Sequence, residues 1–283
     1  MFEVKDLRFR YPRNREDTLK GFSFHVEDGE IFGLLGPSGV GKSTTQKILI
    51  KLLKNYQGKV LFKGKDLKEY DKNFYQSVGV GFEMPVHFSK LTAEENIRFF
   101  SQLYEKRADT DELMKRLGLY QDRHKKVAAF SKGMKVRLNF VRAMLNQPEI
   151  LVLDEPTNGL DPSNARIVKD MIMEFKEQGG TVLLTTHLMN DVDELCDRVA
   201  FMASGAIAET ESPRSLKLKY GQRTVEVEYG EEKTSKKTFD LDALGTNEEF
   251  LDIVKNNKII TIHSKETNLD DIFIRVTGVD VGE

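Results

Sequence analysis

Residues 2–9 and 22–26 alternate apolar with polar side chains, the period of a strand with one buried face. Asp28-Gly29 turns the second of these into 31–35, which is apolar on both faces and reads as a central, fully buried strand. A glycine-rich stretch, 36–41, breaks that strand before a helix whose Ile48, Leu49, Leu52 and Leu53 are expected to share one face. Residues 58–62 and 77–82 read as further strands. The pattern then changes to helical spacing, with Ala93, Ile97, Phe100 and Tyr104 on one stripe and Leu113, Met114 and Leu117 continuing it. This predicts an inserted helical subdomain over about 84–147. Strands return at 150–153 and 181–185, around a helix carrying Ala165, Val168, Ile172 and Phe175, and the order strand, helix, strand means parallel pairing.

After a strand at 198–202 and a Ser204-Gly205 turn, Ser212-Pro213 opens a polar, lysine-containing segment that ends at Tyr220-Gly221. The domain boundary is placed there, with 1–213 as one domain and 214–283 as a small α+β accessory domain. In the latter, 224–229 and 258–263 alternate as strands, and Asn268-Leu269-Asp270-Asp271 is a capped helix start. The chain has 283 residues, which at roughly 150 per domain agrees with two units. No internal repeat or low-complexity tract appears, so solenoid and fibrous folds drop out.

Composition narrows the function classes. Apolar residues make up 39% and charged residues 31%, enough for a sizeable core under a solvated surface. With 43 Lys+Arg against 45 Asp+Glu the net charge is −2, so no global basic field exists to hold nucleic acid. The single Cys196 makes neither an internal disulfide nor a multi-thiolate zinc site, and it is expected to be a half-buried structural thiol in a reducing compartment. Charges at Glu3, Lys5 and Asp6 interrupt the apolar stretch of about 7–15 residues that a secretory signal needs. The longest apolar runs fall far short of the roughly 20 residues that span a bilayer, so any membrane role is expected to come through a partner.

The chemistry is concentrated at two strand ends. Gly36, Pro37, Ser38, Gly39, Val40, Gly41, Lys42 and Ser43, followed by Thr44, satisfy G-x-x-x-x-G-K-[ST] between a strand and a helix. Such a loop closes backbone N–H groups around phosphates at a helix N-terminus. Lys42 would reach the β and γ phosphates, and Ser43 would hold Mg²⁺ through its hydroxyl. At the end of the strand 150–153, Asp154 and Glu155 place two carboxylates where parallel sheets bind ligands. Asp154 suits the Mg²⁺ shell. Glu155, pointing differently, suits a base that polarises water for attack on the γ phosphorus.

With these motifs in this order, residues 1–213 resemble the nucleotide-binding subunit of ABC transporters. Phe130-Ser131-Lys132-Gly133-Met134 stands where that family has its L-S-G-G-Q signature, ahead of Asp154. The resemblance implies a P-loop α/β core with a parallel central sheet, an antiparallel β subdomain and the inserted helical subdomain. It implies that Ser131 and the Gly133 N–H cap the γ phosphate of ATP held by the opposite subunit of a head-to-tail dimer. It further implies that Asn158-Gly159-Leu160-Asp161 is the D-loop, that His187 is the switch histidine on the γ phosphate, and that Tyr11 stacks on adenine.

Two positions depart from the family pattern. Glu83 stands where most members have the Q-loop glutamine, so its carboxylate is expected to ligate Mg²⁺ with altered tuning. In the signature, Lys132 and Met134 replace Gly and Gln, and Lys132 is either a solvated surface charge or a cation reaching phosphate across the dimer.

The F-S-K-G-M form and the ending at 269–278 resemble bacterial exporter ATPases, which sit on the cytoplasmic face of the membrane against a separate permease. Met84, Pro85, Val86, Phe88 and Leu91 are either contacts for that permease or a local core of the subdomain. The alternative is a non-transport ATPase of the same superfamily acting on a macromolecule. The very long coiled coils, zinc cysteines or paired ATPase units of such members are not in this sequence. A small-molecule kinase would account for Lys42 and leave the signature, the D-loop and His187 without a task.

Overall fold

The computed structural model describes residues 1–84, 86–221, 223–230, 234–265 and 267–279. Pro85 lies outside them. In chain order the first half holds β1 (Phe2–Phe9), β2 (Leu19–Val26), β3 (Ile31–Leu35), α1 (Lys42–Leu49), β4 (Gln57–Phe62), β5 (Lys65–Asp66), β6 (Val78–Gly81), α2 (Ala93–Ser101), α3 (Thr110–Arg116) and α4 (Lys132–Met144). The second half holds β7 (Ile150–Asp154), α5 (Pro162–Glu177), β8 (Thr181–Thr186), α6 (Met189–Leu195), β9 (Arg198–Ala203), β10 (Ala206–Glu211) and α7 (Pro213–Tyr220). It ends with β11 (Thr224–Tyr229), β12 (Ser235–Asp240), α8 (Glu248–Asn256), β13 (Ile259–Lys265) and α9 (Leu269–Thr277).

A six-stranded sheet, β10-β9-β3-β8-β7-β6, organises the molecule. Its strands run parallel from β9 to β6, and β10 adds an antiparallel edge. The buried strands behave as their apolar runs predict, with alternate residues entering two different cores. Ile31 and Leu35 of β3, Leu151 and Leu153 of β7, and Val182 and Leu184 of β8 face a helical core formed with α2–α6. Phe32, Leu34, Val152 and Leu183 face the opposite core. An antiparallel sheet, β2-β1-β4-β5, closes that second core with Phe2, Val4, Phe24, Val60 and Phe62.

The inserted region is less helical than its pattern suggests. Between α2, α3 and α4 the chain uses single turns and loops, because Asp109 caps α3 and Ser131 caps α4 afresh through side-chain bonds. Thr92 and Glu95 form a reciprocal capping box at the start of α2, worth on the order of 1 kcal/mol.

The helix after the glycine loop is also shorter than expected. Lys51 turns with φ +61°, and Leu52 comes out 55% exposed instead of joining Ile48 and Leu49 in the core. Cys196 is buried beside Gly33, and burial pushes its thiol well above the ordinary range, as suits a core residue.

The expected boundary at 213/214 does not separate two packing units. Ser212 caps α7 and Pro213 takes its first position, and Leu216 enters the helical core. So do Leu269, Ile272 and Phe273 of α9, with the Phe273 ring 5.1 Å from that of Phe201 on β9. What is separate is the portion between those helices. There the sheet β12-β11-β13 packs Val225, Val227 and Phe239 against Ile253 of α8.

Candidate functional site

β3, β8 and β7 lie side by side and in parallel, so their C-terminal ends open on the same edge of the sheet. From β3 the chain turns through Gly39 (φ +82°) and Gly41 (φ +112°) into α1. A side chain on Gly41 would strike Leu19, and one on Gly36 would strike the carbonyl of Met202 on β9. Glycine is therefore required both for the turn and for the close approach of two strands. No side chain caps α1 and no acidic residue stands in its first turn, which leaves its N-terminal amides to an anion.

Ser38, Gly39, Gly41, Lys42, Ser43 and Thr44 line a cleft of about 240 Å³ together with Glu83, Asp154, Glu155 and His187. The Lys42 ammonium donates to the carbonyls of Gly36 and Pro37, the latter at 3.0 Å. Burial lowers its pKa, while the charges of Glu155, Asp154 and Glu83 oppose the shift.

Asp154 accepts from the Thr185 hydroxyl and, at 3.4 Å, from Ser43 Oγ. Glu155 accepts from Thr186 Oγ1 at 3.1 Å, and its Oε1 lies 2.8 Å from His187 Nδ1. Burial raises the Glu155 carboxyl above the usual glutamate value, and the hydrogen bond and charge of His187 counter this. Its backbone sits at φ +50°, a left-handed conformation that a residue with a side chain holds only when its surroundings fix it. The Glu155 N–H is fixed by the Thr185 carbonyl at 2.9 Å.

The structure thus brings Lys42, Ser43, Thr44, Glu83, Asp154, Glu155 and His187 together. Tyr11 stands at the edge, its hydroxyl 3.2 Å from Thr44 Oγ1 and its ring edge-on to Phe9. Val40 lines a neighbouring recess with Ser38, Gly39, Arg13 and Lys20. Ser131, Gly133 and Asp161 do not line the cleft. Ser131 caps α4 by accepting from Met134 N, and Asp161 caps α5 by accepting from Asn164 N. Gly133 faces the Gly159 carbonyl and Leu160, and the Lys132 side chain lies along Gly159. Signature and D-loop therefore form one surface patch of their own. Sequence reading missed Thr185, Thr186 and Gln46, whose amide bonds the Leu153 carbonyl at 2.8 Å. The two threonines had a signal in the pair of hydroxyls that follows the apolar run 182–184.

Comparison with known proteins decides the family. A family model described as "ABC transporter" matches residues 19–158. A fluoroquinolones export ATP-binding protein of Mycobacterium tuberculosis is 47% identical over 281 residues, covering 98% of this chain and 93% of that one. The chain belongs to the ABC transporter ATP-binding family. A second model, "Fluoroquinolone efflux ABC transporter C-terminal domain", matches residues 223–266 of this ABC ATPase. The linearmycin resistance ATP-binding protein of Bacillus subtilis is 29% identical over 278 residues, 95% of this chain and 85% of that one.

Among solved structures, an ATP-binding subunit of an ABC transporter aligns with a TM-score of 0.71 at 29% identity, covering 78% of this chain and 93% of that chain. A dimeric ATP-binding cassette in a post-hydrolysis state with ADP and Pi aligns at 0.68 and 25% identity, covering 75% and 98%. This ABC ATPase binds and hydrolyses ATP as the energy-supplying subunit of a transporter. Among the described residues no helix is long and apolar enough to cross a membrane.

Proposed function

We propose that two copies of this chain, or one copy and a similar ATPase, enclose Mg-ATP between the phosphate loop of one and the signature of the other, and drive export of an aromatic, fluoroquinolone-like drug through a separate permease. The observation that carries the reading is the match to the fluoroquinolone export protein, which runs through the C-terminal region as well as the ATPase core. Drug accumulation in cells lacking this chain tests it. Fluoroquinolone retention is expected to rise, to fall again with the wild-type chain, and to stay high with Glu155→Gln. Unchanged retention would remove the drug assignment.

In this reading the first-turn amides of α1 and the Lys42 ammonium hold the β and γ phosphates, and Tyr11 packs against adenine. Glu155 accepts a proton from water as its oxygen attacks the γ phosphorus. The bond to the β-phosphate oxygen breaks, and ADP and phosphate leave. His187, oriented through Nδ1 by Glu155, meets the γ phosphate with its other ring nitrogen.

The donor set fits Mg²⁺. The Ser43 hydroxyl and the Asp154 carboxylate are hard oxygen donors, and Glu83 adds another on the same cleft. When bound, Mg²⁺ would neutralise charge on the phosphates. Glu83→Gln is expected to retain turnover with a shifted Mg²⁺ requirement, and Glu83→Ala to lose more. A magnesium titration of phosphate release checks this, and an unshifted curve counts against ligation by Glu83.

In the same reading the subunit sits on the cytoplasmic face of the membrane, with the permease against Met84, Val86, Phe88, Phe99 and Leu103. Their side chains are exposed, while the backbone beneath them is pinned. Asn139 donates to the Phe82 carbonyl at 2.8 Å, Arg142 to that of Val86 at 2.6 Å, and Asn96 grips both backbone groups of Phe88. Outward apolar side chains beside backbone held at Phe82, Val86 and Phe88 suit docking better than a local core does.

Pairing is expected to depend on nucleotide, because the facing set Ser131, Lys132, Asp161 and His187 is polar and supplies little apolar area. Sedimentation of Glu155→Gln should show dimers with Mg-ATP and monomers without it. Adding Ser131→Arg should abolish the dimers. Dimers that ignore both nucleotide and Ser131→Arg would assign pairing to another surface.

A further inference from the structure

One charged cluster, with Thr157 and Asp191 at its buried centre, lies outside the lining of the cleft. Thr157 and Asp191 are both 4% exposed. The Thr157 hydroxyl donates to Asp191 Oδ2, and Asp191 Oδ1 pairs with Lys169 Nζ at 2.7 Å. Lys169 also meets Glu194 at 2.9 Å. A buried carboxylate is costly unless it is paired and hydrogen-bonded, and when satisfied such a network fixes one arrangement of the elements it joins.

The elements joined here are particular ones. Thr157 follows Glu155 by two residues, Asp191 follows His187 by four, and Lys169 lies on α5, whose cap is Asp161 of the D-loop. The turn 155–161 is thus tied to the segment 186–191 at two points. One is Glu155 with Thr186 and His187, and the other is Thr157 with Asp191. A single tie would leave the turn able to pivot, and Glu155 holds a φ of +50° that needs its surroundings to maintain it.

We propose that Asp191 is a positioning residue for ATP hydrolysis. It holds the 155–161 turn against the histidine segment through Thr157, and so keeps Glu155 and His187 in their 2.8 Å contact. The inference rests on the reading in which those two groups act on the γ phosphate.

A double-mutant cycle in kcat tests it, using full-length Asp191→Ala, His187→Ala and the double variant with Mg-ATP. Asp191→Ala is expected to lower kcat about tenfold or more, with the KM for ATP held within about twofold. The double variant should fall no further than His187→Ala alone. Thr157→Val, which cuts the same tie without removing a charge, should show the same split and the same non-additivity, and it carries the cycle if Asp191→Ala does not fold. Asp191→Asn, which keeps an oxygen for Thr157, should restore most of the kcat. Additive losses, a rise in KM matching the fall in kcat, or an unaffected kcat would overturn the proposal. The two failures are distinguishable. A His187→Ala enzyme with normal turnover defeats the reading of the site, whereas a slow His187→Ala with additive Asp191→Ala defeats only the role of Asp191.

Discussion

Glu155→Gln is expected to lower ATP turnover by about 10²- to 10⁴-fold, the range over which a positioned general base contributes. Nucleotide affinity should survive. The substitution removes a negative charge from a cleft that already holds Asp154 and Glu83, and glutamine keeps a carbonyl oxygen for one of the two partners, Thr186 or His187, while turning an NH₂ donor toward the other. Phosphate release together with equilibrium ATP binding checks both halves. The pH profile adds a signature. Burial raises the Glu155 carboxyl, so the base loses its competence through protonation at a higher pH than an exposed glutamate would. The acid limb of kcat should lie above the ordinary glutamate range in the wild type and be missing from the residual rate of Glu155→Gln. Turnover within a few-fold of wild type would take Glu155 out of the chemistry.

The second large effect concerns stability. Phe273 is fully buried, packs its ring on Phe201, and is flanked by buried Leu269 and Ile272. Phe273→Ala should therefore cost about 3–5 kcal/mol, the usual toll of emptying a buried phenylalanine site. The loss bears on function because Phe201 precedes Met202, whose carbonyl abuts Gly36 at the root of the phosphate loop. Denaturant unfolding should show the midpoint fall, and ATP affinity should weaken as β9 loosens. A midpoint unchanged by Phe273→Ala would mean that α9 is not part of the cooperative core.

The parts of this molecule that could be read from the chain are those where local pattern and chemistry coincide. Buried β3, β7 and β8 announce themselves as short apolar runs, and Lys42, Ser43, Asp154 and Glu155 sit at the ends of such runs in motifs whose purpose is physical. What escaped depends on distant neighbours. Leu52 continues the helical stripe of α1, yet the left-handed turn at Lys51 takes it to the surface. β12, with Ser235, Lys236, Lys237 and Thr238 exposed, carries no alternation because it is a sheet edge with only Phe239 buried. Leu216, Ile272 and Phe273 fall in the stretch assigned to a second domain, but they fill the core of the first, where Phe273 meets Phe201 in a long-range pairing that no window of sequence displays. Asp191 and Lys169 look like two more surface charges on amphipathic helices until the fold sets Asp191 between Thr157 and Lys169.

The way the C-terminal sheet is attached has a consequence for how such a subunit can change over time. α7 and α9 are both anchored in the main core and touch each other, with Arg275 donating to the Tyr220 carbonyl at 2.8 Å and Gly221 close to Thr267. The stretch from β11 to β13 leaves and rejoins the molecule at almost one point and keeps its own small core. It is a detour between two fixed posts. Loop closure at that point is already provided by the helices, so the length and sequence of the detour are nearly free of the ATPase's stability requirements. Selection can rewrite it, enlarge it or exchange it whole while the engine behind it stays the same.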